Sequence, residues 1–265
     1  MSEFFASCAT VLQKYGMSYL EGAGRTLVIA LVGTVIGCLI GFAVGTLQTV
    51  PIDKQRDSLP KRVLLHLMRG VLRCYVELFR GTPMIVQAVF IYYGMISIFN
   101  VKMGMWTAAF FIVSINTGAY MAETVRGGIF SVDPGQSEGA KAIGMTHLQT
   151  MRYVVLPQAL RSIVPQIGNN FIINIKDTSV LSVISVTDLF FVHKSVVGAL
   201  YRYFESACIV MVLYLTMTMV ASWLLRKWEK LMDGPANFDL ATHDTLAYTS
   251  GTYRFPDPKK AGKEA

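Results

Sequence analysis

Charge is scarce in this chain. Asp, Glu, Lys and Arg supply only 15% of its 265 residues against 53% hydrophobic, and mean hydropathy is +0.46, where an ordinary soluble domain is about 25% charged. The expected solvent is therefore the bilayer. Cysteine is as sparse: Cys8, Cys38, Cys74 and Cys208 are too scattered to imply a disulfide framework or a metal site. Catalytic sets are missing too. His66, His147, His193 and His243 are solitary, and no carboxylate pair or nucleophile with an adjacent base is discernible, which argues against acid–base and nucleophilic enzymes. No phosphate-binding loop occurs either. Gly139-x4-Gly144-Met145-Thr146 is a near miss in which Met145 stands where a Lys must reach the terminal phosphates. ATP hydrolysis, if it drives this protein, belongs to a separate subunit. Tandem repeats with a period of roughly 20 to 50 residues are absent. Residues 1–24 lack a basic stretch followed by a separate apolar core and cleavage site, so no removable signal peptide is expected.

What the chain does have is long uncharged runs. Arg25 and Asp53 enclose 27 such positions, Arg80 and Lys102 enclose 21, Lys102 and Glu123 enclose 20, and Glu205 and Arg226 enclose 20. Each suffices for a helix of about 20 residues to cross hydrocarbon. A fifth apolar region, 162–192, is interrupted by Lys176, Asp177 and Asp188 and reads as a span broken in its middle. The expected fold is an all-α membrane protein with about five transmembrane helices, near 26–48, 83–101, 103–123, 162–192 and 205–226. Residues 1–24 form an extracytoplasmic segment, 25–230 the membrane domain, and 231–265 a polar cytoplasmic tail, partly disordered, with Pro235, Pro256 and Pro258. Eighteen of the 24 Lys and Arg fall in the first and third connections and the tail. By the positive-inside rule the N-terminus is outside and the C-terminus cytoplasmic. The net charge of +7 follows from that topology, and no nucleic-acid partner is implied.

Local patterns add detail. Gly33, Gly37, Gly41 and Gly45 line one face of the first span and suit close approach of another backbone, within the chain or between subunits. Val63, Leu64, Leu65, Leu67, Val71 and Leu72 suggest an amphipathic surface helix in the basic first connection, and Pro83 suits the start of the next helix. Asp133-Pro134-Gly135-Gln136 fits a capped helix start, with Gln136 reaching back, and Thr146 with Gln149 fits a second. Between them Gly144 can take the left-handed backbone that ends the first helix, while Pro157 limits continuation of the second. Lys176 and Asp177 sit in apolar surroundings where an unpaired charge costs several kcal/mol, so a partner, a local unwinding or a wet path is required. Asn170 and Asn174, one turn apart, could line such a path or glue helices together. Glu123 and Arg126, three apart, can form a helical ion pair of structural or gating use.

The segment 138–157, EGAKAIGMTHLQTMRYVVLP, resembles the EAA segment of permease subunits of ATP-binding-cassette importers, with Gly139 where the family usually has Ala. ELFRGTP at 77–83 with Gln87, the stretch 119–129, and KDTS at 176–179 are similar to polar-amino-acid permeases of that class. The resemblance runs from about Gly22 to about Trp228 and implies a fold like that of a type I importer permease. It further implies a cytoplasmic helix-turn-helix at 133–157 that seats against the motor through Glu138, Gly139, Ala140, Gly144, Leu156 and Pro157. A substrate path bordered by Asn170, Asn174, Lys176, Asp177, Thr178 and Ser179 is expected. Implied partners are two copies of an ATPase subunit, a second permease, identical or sister, an extracytoplasmic solute-binding protein, and the lipid of a bacterial inner membrane. No cofactor is expected on this chain, since ATP and Mg belong to the motor. The competing reading, a stand-alone secondary transporter or channel for small polar solutes, is disfavoured by the absence of internal inverted repeats.

Overall fold

A computed structural model describes residues 2–52 and 58–232; the polar tail beyond 232 lies outside the described residues. Two units are distinguished, Met1–Leu225 and Arg226–Ala265, and the candidate site described below lies in the first. Every element among the described residues is helical: α1 (Ser2–Thr49), α2 (Leu59–Gly81), α3 (Met84–Phe99), α4 (Met105–Phe130), α5 (Pro134–Ala142), α6 (His147–Thr150), α7 (Leu156–Asp177), α8 (Leu189–Leu200) and α9 (Tyr203–Met232). A π-helical stretch, Met151–Val155, joins α6 to α7, and a 3-10 stretch, Thr178–Ile184, continues α7.

α1 runs unbroken through the boundary expected at residue 24. At 1.5 Å per residue its 48 residues reach about 72 Å, more than twice a hydrocarbon core. Its first half packs Val11 and Tyr19 against Leu189, Val196, Ile209 and Val210. Its second half lies along α4 with almost no space between backbones. A Cβ built on Gly33, Gly37, Gly41 or Gly45 would fall 2.4 Å from Val113, 2.6 Å from Thr117, 2.3 Å from Met121 and 2.6 Å from the Ala122 carbonyl. The glycine ladder is thus an intramolecular seam. It answers the alternative of a contact between subunits in favour of the chain's own fourth helix.

α1 and α9 are long and apolar enough to cross a bilayer; α2 with α3 and the 147–184 helix with α8 qualify only as bent pairs, bent by 114° and 51°. Outward-facing Leu31, Val35 and Leu39 of α1 and Met211, Leu215 and Met219 of α9 are all more than half exposed, an apolar exterior that suits lipid and not water. α4 is the converse case. With 26 residues it is long enough, yet Ala108, Ala109, Ser114, Asn116, Thr117, Gly118, Ala119 and Ala122 are all buried. A helix wrapped by protein needs small side chains for close packing more than it needs apolarity.

The elbow between α2 and α3 is held by side chains from the ELFRGTP region. Pro83 is the N-cap of α3, one position earlier than its expected place in the first turn. Gln87 Nε2 donates to the Phe79 carbonyl at 2.9 Å and to the Thr82 carbonyl at 2.9 Å, and its Oε1 accepts from Asn116 Nδ2 of α4 at 2.9 Å. The carbonyls left over at the end of α2 thereby find donors inside the protein, which an apolar environment demands.

Candidate functional site

The helix-turn-helix expected at 133–157 is present, and each of its bends has a local cause. Asp133 caps α5 by accepting from Gly135 N–H at 2.7 Å, with Pro134 at the first position. Gln136 does not complete a capping box; its Oε1 accepts instead from Gln158 Nε2 at 3.4 Å, which ties α5 to the start of α7. At the other end of α5, Met145 N–H donates to the Ala140 carbonyl at 3.1 Å and Gly144 N–H to the Lys141 carbonyl at 3.0 Å, while Gly144 sits at φ +86°. This pair of bonds around a left-handed residue is the Schellman ending, which favours glycine. Thr146 then opens α6 with a full capping box: its N–H donates to Gln149 Oε1 at 2.8 Å and its Oγ1 accepts from Gln149 N–H at 3.3 Å.

Pro157 behaves differently from its expected role. Instead of limiting the second helix it lies in the first turn of α7, and the backbone stays helical from His147 to Asp177. The π stretch Met151–Val155 just before it widens the helix where the proline ring would otherwise meet the preceding turn and removes the need for its missing N–H.

The loop is anchored on one side and open on the other. Ala140, Thr150, Val155 and Ala159 are buried, and Val155 and Ala159 pack with Met121, Val125, Ile129 and Ile163. Leu156 packs partly against the same cluster. A cavity of about 250 Å³ beneath the loop is lined by Phe130, Ser137, Lys141 and His147; burial, then the Lys141 ammonium, holds the His147 imidazole below its usual pKa. Glu138, Gly139, Gly144 and Pro157 are exposed. A Cβ on Gly139 would meet nothing within 4 Å, so the family's Ala fits there equally well. Glu138 has no hydrogen-bond or ion-pair partner among the described residues. Three large apolar side chains of the segment are uncovered as well: Ile143 is 80% exposed, Leu148 76% and Tyr153 64%. Sequence reasoning passed over them, although Ile143 and Leu148, apolar residues near Gly144 in a polar stretch, were a readable signal.

The KDTS region divides in two. Asn174 is buried and belongs to packing: its Nδ2 donates to Thr34 Oγ1 of α1 at 2.8 Å and to Thr117 Oγ1 of α4 at 2.9 Å. Thr178 is fully buried and donates to the Ile175 carbonyl at 3.0 Å. Asn170 is partly exposed, and its Nδ2 donates to the Gln166 carbonyl at 2.9 Å and lies 3.3 Å from Met121 Sδ. Lys176 and Ser179 instead border a cavity of about 370 Å³ together with Phe190, His193 and Tyr214, and Asp177 is half-buried at the point where α7 tightens into 3-10 geometry. Asp188, the other interruption, caps α8 by accepting from Phe191 N–H at 2.9 Å. Glu123 pairs with Arg126 on its own helix and, at 3.8 Å, with Arg80 of α2.

Residues 64–232 match the family of the binding-protein-dependent transport system inner membrane component. The chain belongs to that family. Among its relatives, this inner-membrane component is 37% identical over 214 residues to the glutamine transport system permease protein GlnP of Escherichia coli (strain K12), covering 80% of the chain and 92% of the relative. It is 34% identical over 210 residues to a probable amino-acid permease protein, YxeN, of Bacillus subtilis (strain 168), covering 78% and 87%. A solved structure described as an amino acid ABC transporter with histidines superposes with a TM-score of 0.73 at 35% identity, covering 83% of the chain and 96% of the other. The MetNI methionine ABC transporter, inward facing, shares the fold with a TM-score of 0.68 at 20% identity. The family places the chain in a membrane as the non-enzymatic component of a transporter whose ATPase and solute-binding functions reside in other subunits.

Proposed function

We propose that this inner-membrane component is the permease subunit of an ATP-driven importer of polar amino acids, and that 138–157 is the lever through which a separate ATPase moves it. The observation that carries the lever is the pairing of rigid ends with an open face. A Schellman glycine and a capping box fix the angle between α5 and α6, while Glu138, Ile143, Leu148 and Tyr153 stand free of the chain's own core. Gly139, Ala140 and Gly144 set the shape of that face, and Leu156 and Pro157 join it to the membrane helix. The chain crosses the bilayer five times, through α1, α3, α4, α7 with its 3-10 continuation, and α9, with the N-terminus outside and the C-terminus cytoplasmic; the location of eighteen of the 24 basic residues supports this orientation.

Two such permeases, identical or sister, assemble with two ATPase subunits and an external binding protein, and ATP with Mg is held by the ATPases alone. Alternating access then follows as ATP closes the motor pair and the helical bundles rock about a central route. Lys176, Asp177 and Ser179 border that route. Asn170 and Asn174 hold the helices that form it, Thr178 lies in the same stretch, and Glu123 with Arg126 and Arg80 ties α4 to the elbow at the cytoplasmic end. Transport by proteoliposomes containing the permease, its ATPase and its binding protein tests the assignment. Uptake of labelled glutamine or another polar amino acid is expected only with internal ATP and all three components; uphill uptake by the permease alone, driven by an ion gradient, would overturn it.

A further inference from the structure

Among the described residues, the cleft beside Glu123 holds more positive charge than its carboxylates neutralise. About 300 Å³ in volume, it is walled by Arg69, Arg73 and Arg80 of α2 and by Arg126 of α4, with Glu77 and Glu123 as the acidic side chains in its wall. Arginine stays protonated at any physiological pH, so among the described lining residues four positive charges face two carboxylates. Glu123 is committed to Arg126 and Arg80. Arg69 donates from Nη2 to the Val50 carbonyl, but its Nε is buried without a hydrogen-bond partner among the described residues. Arg73 is exposed, with no hydrogen bond or ion pair among the described residues.

The surroundings say where this surplus sits. Arg69, Arg73 and Arg80 recur on one face of α2, whereas Val63, Leu64, Leu67, Val71 and Leu78, all more than half exposed, occupy the opposite face. α2 is bent by 114° from α3. When α3 crosses the bilayer, α2 therefore lies along its surface with the apolar face toward the acyl chains, as interfacial helices do, and the cleft stands near headgroup level.

We propose that this cleft is a binding site for a phosphate group. The guanidinium forks of Arg69 and Arg73 match phosphate oxygens in pairs, and Gln48 adds an amide at the rim. An anionic phospholipid headgroup and a free phosphate ion present the same chemistry. The test uses the full-length chain in nanodiscs of zwitterionic lipid. One arm titrates inorganic phosphate, followed by phosphorus NMR; the other adds phosphatidylglycerol and counts retained lipid by native mass spectrometry. One equivalent per chain is expected in at least one arm. Saturation by phosphate identifies a soluble anion, and retention of phosphatidylglycerol alone identifies the lipid. Arg73→Gln should weaken that binding about tenfold, Arg73→Lys less, and added salt should weaken it further. Arg73 makes no contact on which folding depends, so this single variant carries the test if an Arg69 variant misfolds. No saturable binding in either arm, or undiminished binding by Arg73→Gln, would overturn the proposal.

Discussion

Two glycines of α1 should respond differently to the same substitution. At Gly41 an added methyl would lie 2.3 Å from Met121 Cβ and 2.8 Å from the Ala122 backbone nitrogen, where carbon atoms normally settle at about 3.5–4.0 Å. The seam would have to open by about 1.2 Å, from 2.3 Å to the near edge of that range. Met121 is 1% exposed and Ala122 is fully buried, so neither can yield into empty space. Overpacking of this kind costs about 1–3 kcal/mol, which outweighs the gain of at most about 1 kcal/mol from replacing glycine inside a helix. Gly24, on the same helix, meets nothing within 4 Å. There the helix-propensity gain stands alone. The assay is thermal unfolding of purified protein in one detergent, followed by loss of the monodisperse peak. For a chain of this size a change of 1 kcal/mol moves Tm by about 2–4 °C. Gly41→Ala is expected to lower Tm by several degrees and Gly24→Ala to leave it equal or raise it. If Gly41→Ala melts at or above the parent, the backbone contact between α1 and α4 is not what the geometry says it is.

The elbow and the polar break make separate predictions. Gln87→Ala would strip the Thr82 carbonyl of a donor and leave Asn116 Nδ2 and the Phe79 carbonyl only their longer mutual bond of 3.3 Å; a loss of about 1–3 kcal/mol is expected, read as a lower Tm, with Gln87→Glu no better because its carboxylate cannot donate. Asp177→Asn and Lys176→Gln should leave folding intact and change uptake or its substrate dependence in the reconstituted importer, whereas Asn174→Leu should lower Tm first, since it removes the bonds to Thr34 and Thr117. Unchanged uptake in both charge variants would remove Lys176 and Asp177 from the route.

Much of this architecture was legible in the residues, and where it was not the reason is physical. The glycine period named a close-packed face, and α4 is the helix it packs on. The Gly144 and Thr146 signals are local, because left-handed backbone and side-chain caps depend on neighbours in sequence, and both appear as expected. Pro157 misled because a proline is read as a helix breaker, while a π stretch immediately upstream lets the helix pass through it. The two functions open to Asn170 and Asn174 could not be separated by their shared face. Asn174 turns out to be a three-helix tie, and that depends on Thr34 and Thr117, which lie 140 and 57 positions away. The open apolar trio Ile143, Leu148 and Tyr153 and the Arg-lined cleft likewise depend on which residues the tertiary fold leaves uncovered.

The central claim is that the open face of the α5–α6 turn seats the ATPase. A photoreactive phenylalanine analogue placed at Leu148, 76% exposed and clear of the core, would report it in native membranes. The account predicts a light-dependent adduct between the 29.3 kDa chain and the ATPase subunit, lost when Gly144→Pro forbids the +86° turn or when Glu138→Lys reverses the charge beside it. An assembled transporter that yields no such adduct, or one that still forms with Gly144→Pro, would contradict it.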